Sequence, residues 1–453
     1  MDEINIFVPE WVPLSNKGEG AIVLGMADSI FPDKKVKMHV LDMDACHPYE
    51  KDGVAAYPGR WFFANWRSQE FGLGPSFEQL YASGCSLCKN FLNKFFPFWL
   101  YVPQFPLRKF ERTIKRFKSG KKPRNEYEES IYKLLSCDYI IAGHNGGLNE
   151  YVCHVLMILK KHGFSFGVFG SSLKPKLGDC VITRLFHKTL VLADYVYVRN
   201  EIALNWAHKY FPEIEVILAP DPAFMMLPAA DREVEEVIAG NKLQDFFAGR
   251  VIMVTACEPA PIARRSFLDV KNPIAKKETH RKLMAKLIEH ICRTTDAKII
   301  FLPHSLGPTK SLDDRIVADG IMKYANCPGN RVFIMRDDIS GRVLKGLIAK
   351  ADLLIAERIH SIIGSVKVNT PFMAIGSNAD TRIHGIVENM LEGENETYLL
   401  DYPKADELTA KFDEIWNNLP AITAKRQKKN AEIVSWLEAA GKDIRAKLER
   451  NNG

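Results

Sequence analysis

Leu353-Leu354-Ile355-Ala356-Glu357-Arg358-Ile359-His360-Ser361, with Pro371-Phe372-Met373-Ala374-Ile375 beyond it, reads as a strand, a polar strand end that opens a helix, and a second strand introduced by proline. Short aliphatic runs separated by a helix are the pattern of parallel strands in an α/β sheet. The same rhythm extends backward through strand-like runs at 251–255, 298–302 and 332–335, with helical patterns such as 277–293 and 340–350 between them.

A similar series precedes the proline-rich stretch Ala219-Pro-Asp-Pro-Ala-Phe-Met-Met-Leu-Pro228. Its strands are expected at 4–8, 36–41, 139–142, 166–169, 195–198 and 216–218, with helices opening after the turn Ser15-Asn16-Lys17-Gly18-Glu19-Gly20 and over 151–161 and 177–192. The expected fold class is α/β: two doubly wound Rossmann-like domains facing a cleft, followed by C-terminal helices. The boundaries are 1–225, 226–404 and 405–453. Residues 44–136 break the alternation and read as an insertion in the first domain. In the terminal helices Phe412, Ile415, Trp416, Ile433, Trp436, Leu437 and Ile444 form the expected packing faces.

The composition is that of a folded globular chain: 453 residues, 47% hydrophobic and 26% charged. The net charge of +6 is unevenly placed, since Arg108, Lys109, Arg112, Lys115, Arg116, Lys118, Lys121, Lys122 and Arg124 stand within one short segment against Glu111 alone. The first residues lack a cationic stretch followed by an apolar run, and no segment is apolar enough to span a bilayer, so a cytoplasmic location is expected. The 9 cysteines are dispersed and read as reduced thiols. Cys85 and Cys88 have the spacing of half a zinc site, with Cys46 and His47 as remote partners, but no second CxxC or CxxH completes it, and no metal is expected.

In doubly wound sheets ligands bind beyond the C-terminal ends of strands, so those positions hold the candidates. The Asn16–Gly20 turn offers backbone N–H groups at a helix start. Neither GxGxxG nor GxxxxGK[ST] is present to support a dinucleotide or nucleoside triphosphate. Gly143-His144-Asn145-Gly146-Gly147 is either a close backbone approach to a ligand or a tight turn. Arg199 follows one strand, His304 another, and Arg358 and His360 a third. An extended i, i+2 pair points to one side, and an arginine fork beside a histidine suits an anion that needs proton transfer. The bland reading is an arginine in a structural ion pair and a histidine capping the helix.

The ordered set Asn16-Lys-Gly-Glu-Gly-Ala-Ile22, Gly143–Gly147, Val198-Arg-Asn-Glu201, Pro220-Asp-Pro-Ala-Phe224, Pro303-His304 and Glu357-Arg-Ile-His360 with Pro371-Phe-Met-Ala-Ile375 resembles the polysaccharide pyruvyl transferases. Two departures stand out: Arg199-Asn200-Glu201-Ile202-Ala203 lacks the serine often found after the arginine-acid pair, and the glycine loop reads Gly-His-Asn-Gly-Gly rather than Gly-Gly-Gly. The resemblance implies a glycosyltransferase type B-like fold and transfer of the enolpyruvyl unit of phosphoenolpyruvate to a sugar of a polysaccharide or lipid-linked glycan, giving a pyruvate ketal. It implies no cofactor, phosphoenolpyruvate being the donor substrate. On this reading Arg199 and Arg358 bind carboxylate and phosphate, helped by Asn16, Gly18, Gly146 and Gly147. His360 is the first choice for general acid/base, His144 or His154 a second, and His304 contacts phosphate or acceptor. His154 taken alone is simply a histidine on a helix face. The alternatives are a type-B glycosyltransferase using a nucleotide sugar and a non-catalytic glycan-binding protein.

Upstream of the cationic segment stand Phe95, Phe96, Phe98, Trp99 and Tyr101. Residues 91–124 therefore read either as an element that docks on an anionic membrane surface, giving peripheral attachment at the inner face, or as a core aromatic helix followed by a solvated basic loop. Nucleic acid is not an expected partner, because no binding motif accompanies the charge.

Overall fold

A computed structural model describes residues 3–42, 44–59, 105–144, 148–173, 181–257, 266–307 and 310–452. The chain divides into two compact units, the first made of Met1–Pro13, Phe31–Ala219 and Asp443–Gly453, the second of Leu14–Ile30 and Pro220–Lys442. Each is a doubly wound α/β sheet. The first helix, Lys17–Ile30, groups with the second unit although the strand before it belongs to the first.

The first unit carries strands β1 (Ile4–Trp11), β2 (Val36–Asp42), β3 (Tyr49–Lys51), β4 (Val54–Pro58), β5 (Tyr139–Ala142), β6 (Gly167–Ser171), β7 (Val196–Val198) and β8 (Ile217–Leu218). They lie in the order β3-β4-β2-β1-β5-β6-β7-β8, parallel except for β3 against β4. Helices such as Glu150–Lys161 cover one face of strands β1, β5 and β6, burying Phe7, Ile140, Val168, Val152 and Leu156 in one core.

Two features differ from the sequence reading of 44–136 as an insertion. Residues 49–58 extend the sheet through a hairpin at Asp52-Gly53, whose φ values of 55° and 78° fit the tight turn that Asp-Gly favours. The helices Phe105–Lys118 and Glu126–Leu135 bury Leu107, Phe110, Ile114, Ile131 and Leu134 in the same core. The expected strand at 166–169 runs over Gly167–Ser171, and Tyr195 fills the space where a Gly167 side chain would stand. The aromatic run 91–101 and Cys85 and Cys88 lie outside the described residues.

The second unit carries β9 (Val251–Thr255), β10 (Lys298–Phe301), β11 (Val332–Ile334), β12 (Leu353–Ala356), β13 (Phe372–Gly376) and β14 (Thr397–Leu399), all parallel, in the order β11-β10-β9-β12-β13-β14. Its core packs Ile252, Val254, Ile299, Phe301, Leu353 and Ile355 beneath Met284, Ile288 and Phe412. The chain ends in the helices Ala405–Trp416 and Leu419–Asn452. Ile433, Leu437, Ala440, Ile444 and Leu448 form the buried seam of the last helix, whereas Trp436, expected on that face, falls beside the seam and is 41% exposed. Among the described residues no helix is long and apolar enough to cross a membrane.

Candidate active site

The strand order reverses between β9 and β12 in the second unit and between β1 and β5 in the first, and each switch point gathers charged side chains beyond the strand ends. In the second unit a buried glutamate spans the reversal. Glu357, just after β12, accepts a hydrogen bond from the Cys257 N–H (2.8 Å) beyond β9 and lies 2.6 Å from His280 Nε2. Its neighbour Arg358 sits at the helix N-cap in extended conformation and makes no capping bond with its side chain. That side chain instead turns toward Asp314, to which Nη2 donates, while its buried Nε has no partner among the described residues.

Asp314 opens the helix Asp314–Met322 and ties two loops together. Besides Arg358, its carboxylate accepts the N–H groups of His304 (3.0 Å) and Ser305 (2.9 Å), the residues that follow β10. Burial raises its carboxyl above the usual range, and the Arg358 charge and the two backbone donors pull the other way. His304 is itself buried, and burial pushes its imidazole well below the usual histidine range, reinforced by His360 and Arg358. It is therefore neutral at physiological pH, able to accept or donate a hydrogen bond but adding no charge.

The Asn16–Gly20 turn belongs to this cluster. Asn16 pairs with Ser305 in a short antiparallel bridge, the Lys17 N–H donates to the His304 carbonyl (2.9 Å), and Asn16 Oδ1 accepts the Gly18 N–H (3.1 Å). Gly18 is required by space: a Cβ there would stand 2.5 Å from His360 Nδ1. Lys17 is buried and pairs with Asp338 at 2.6 Å. Of the expected site residues, Arg358, His360, His304, Asn16 and Gly18 thus come together. Arg358 and His360 take different partners, because the helix begins at Ile359 and His360 already lies within it. The ion pair foreseen by the bland reading is present as Arg358–Asp314.

The first unit holds a second cluster. Glu10, fully buried on β1, accepts the N–H groups of Gly143 (3.0 Å) and His144 beyond β5. Gly143 has φ of 116°, and a Cβ there would strike the Phe169 carbonyl at 2.5 Å, so this turn demands glycine. Arg199, 1% exposed, follows β7 and donates through Nε to Ser172 Oγ (2.7 Å). His154 is buried on the helix Glu150–Lys161. Gly146 and Gly147 lie outside the described residues. Among those described, no group of three or more His, Cys, Asp or Glu side chains is placed to hold a metal.

Sequence reasoning missed Asp314, Glu10 and the His280–Glu357 contact, and assigned no role to Asp221. Asp314 carried one readable sign: Asp313-Asp314 stands at a helix start ten residues past His304.

The profile of the polysaccharide pyruvyl transferase family matches residues 83–378, a span that holds Arg199, Asp221, His304, Asp314, Arg358 and His360 but not the Asn16–Gly20 turn. No curated protein matches the chain. Among solved structures, similarity extends to a trehalose-6-phosphate synthase studied with bisubstrate glycomimetics (11% identity, 98% of this chain and 99% of that one, TM-score 0.51). It also extends to the UDP-GlcNAc 2-epimerase of Neisseria meningitidis bound to UDP-GlcNAc (11% identity, 99% and 100%, TM-score 0.50) and the sucrose-phosphate synthase of Thermosynechococcus elongatus (12% identity, 99% and 98%, TM-score 0.50). At such low identity these likenesses establish the fold, which is glycosyltransferase type B-like. The family match spans most of the chain and includes the strand ends that carry its buried arginines and histidines: this protein belongs to the polysaccharide pyruvyl transferase family and is a transferase.

Proposed function

We propose that the protein transfers the enolpyruvyl unit of phosphoenolpyruvate to a sugar of a polysaccharide or lipid-linked glycan and closes it to a pyruvate ketal, releasing phosphate. One observation carries this reading: the fixed charge of Arg358, with an unsatisfied buried Nε, stands in one cluster with the neutral His304 and the enclosed His360. The donor carries a carboxylate and a phosphate, and a guanidinium held on one side by Asp314 keeps donors for an anion on the other.

Ketal formation adds a proton to the methylene carbon, so that C2 becomes cationic and is captured by one sugar hydroxyl. Loss of phosphate then regenerates the cation for the second hydroxyl. Each capture releases a proton from a hydroxyl, and His360 is the base that receives one. His304 supplies a neutral hydrogen-bonding group to phosphate or acceptor. On the first unit Arg199, buried and fixed by Ser172, is an anion-binding candidate in its own right, and His144 beyond β5 and the helical His154 are secondary acid/base candidates. No cofactor enters the scheme.

Incubation with phosphoenolpyruvate and a panel of glycans, following phosphate release and acceptor mass, tests the proposal. The expected product is heavier by one pyruvate less one water. Protection against thermal unfolding by a nucleotide sugar but not by phosphoenolpyruvate would replace the reading with that of a glycosyltransferase.

Attachment to an anionic membrane is part of the same proposal and takes an electrostatic form, because the apolar face of the helix Phe105–Lys118 is spent on the core while Arg108, Lys109, Arg112 and Lys115 are exposed. Co-sedimentation with anionic liposomes that falls as salt rises supports it, and binding that survives neutralisation of these four residues overturns it.

A further inference from the structure

His360 is buried on the helix that follows β12, and its two ring nitrogens face different surroundings. Nδ1 lies on the side of Gly18, whereas Nε2 is buried without a hydrogen-bond partner among the described residues and stands 3.8 Å from Asp221 Oδ2. Asp221 is itself fully buried.

The turn that carries Asp221 is held from several directions. Its Oδ1 accepts the Ala223 N–H (2.9 Å), its carbonyl accepts the Phe224 N–H (3.1 Å), and the Met225 N–H returns to the Pro222 carbonyl (2.8 Å). The buried Lys345 donates to the carbonyls of Ala223 (3.1 Å) and Met226 (2.6 Å). On another side the helix Lys17–Ile30 approaches so closely that a Cβ on Gly25 would fall 1.9 Å from the Pro222 carbonyl oxygen. A carboxylate carried on so constrained a turn cannot swing away. A contact of 3.8 Å exceeds hydrogen-bond length, yet at that range a buried negative charge acts strongly on the ring.

We infer that Asp221 is a positioning residue for His360, an inference that rests on the transferase reading above. Its carboxylate selects the neutral tautomer with hydrogen on Nε2, which leaves the Nδ1 lone pair as the site of proton exchange. When Nδ1 takes a proton from an acceptor hydroxyl the ring becomes an imidazolium with hydrogen on both nitrogens. Asp221 stays ionised and balances that charge, and no proton passes to it.

The first test needs no substrate. Nitrogen-15 spectra of histidine-labelled protein at pH 8, with His360→Ala to assign the signal, are expected to show His360 with hydrogen on Nε2. A signal with hydrogen on Nδ1 overturns the inference. The second test is kinetic, with phosphoenolpyruvate and a competent acceptor. Asp221→Asn is expected to lower kcat at least tenfold with KM for phosphoenolpyruvate unchanged, and to cost nothing more when placed in His360→Ala. An equal loss in both backgrounds shows a merely structural residue and overturns the inference. Should Asp221→Asn fail to fold, the tautomer of the unaltered protein still decides. Absence of phosphate release from phosphoenolpyruvate by the unaltered protein defeats the transferase reading instead, and the spectra separate the two failures.

Discussion

Arg358 donates to Asp314, and the same carboxylate receives the backbone N–H groups of His304 and Ser305, so one buried acid fixes the loops after β10 and β12. Such a pair is costly to bury and costly to break from one side. It also orients the guanidinium: Nη2 is committed to Asp314, and the buried Nε is left over. A comparable arrangement recurs in the first unit, where Glu10 holds Gly143 and His144. In both sheets a buried carboxylate organises the backbone beyond the C-terminal ends of strands.

Arg358→Lys is expected to reduce kcat/KM for phosphoenolpyruvate roughly 10- to 100-fold, the equivalent of losing one charge-assisted hydrogen bond. A lysine keeps the charge but cannot hold Asp314 and an anion together. Steady-state kinetics check this, and a change of less than about twofold would remove Arg358 from the site. Asp314→Asn still accepts from His304 and Ser305 but turns an N–H toward the guanidinium, so the two substitutions together should cost less than the product of their separate effects.

Gly18→Ala tests the packing of the Asn16–Gly20 turn. The added methyl would lie 2.5 Å from His360 Nδ1 and 2.8 Å from its Cβ and Cγ, so the ring must move. Displacing a catalytic group by about 1 Å costs on the order of 100-fold in rate, whereas overpacking costs about 1–3 kcal/mol in stability. The expected variant folds, melts at somewhat lower temperature and loses most of its kcat. Unchanged kcat would show that the ring as placed is not the catalytic form.

All the strands of the two sheets except β3, β4 and β14 could be read from the sequence, because fully covered parallel strands are short apolar runs that depend little on their neighbours. Arg358, His360 and His304 were legible for a related reason, since each follows such a run. Their partners were not. Asp314 reaches Arg358 across 44 residues and Glu10 reaches His144 across 134, and nothing local marks a carboxylate as the acceptor for a distant loop. The hairpin at Asp52-Gly53 is a different case, because its Asp-Gly signal was present and was masked by treating 44–136 as one insertion. The cationic segment is the reverse case: its charge was plain, whereas the inward packing of its helix was written only in the spacing of Leu107, Phe110 and Ile114.

That segment yields a stability prediction. Glu128, whose side chain is 4% exposed, takes ion pairs from Arg116 and Arg124 and also accepts the Arg124 N–H at 2.8 Å. Glu128→Gln leaves Arg116 near the core without its counter-charge. Since the Arg124 side chain is 68% exposed and can relax into water, the expected loss is below the full cost of breaking a buried pair, about 1–3 kcal/mol. Urea denaturation measures it, and a loss under about 0.5 kcal/mol would show that both pairs are solvent-screened.

The first sheet also contains a group that links stability to pH. His39 on β2 is 7% exposed, with Nε2 2.8 Å from Asn5 Oδ1 and Nδ1 3.1 Å from the Tyr57 hydroxyl, and burial, assisted by Lys37, lowers its imidazole to about 4. The unfolded chain titrates this residue near 6.5, so between about 4 and 6.5 the unfolded state binds the extra proton. Unfolding is then favoured as pH falls, and the stability present above 6.5 is lost progressively down to about 4. The full window corresponds to roughly 3 kcal/mol, of which about half to two-thirds is expected between pH 7.5 and 5. His39→Gln has no proton to gain and should flatten that part of the profile while keeping a hydrogen bond in the site. Equal slopes for the two proteins in urea titrations at pH 7.5, 6 and 5 would show that His39 protonates in the folded sheet without cost.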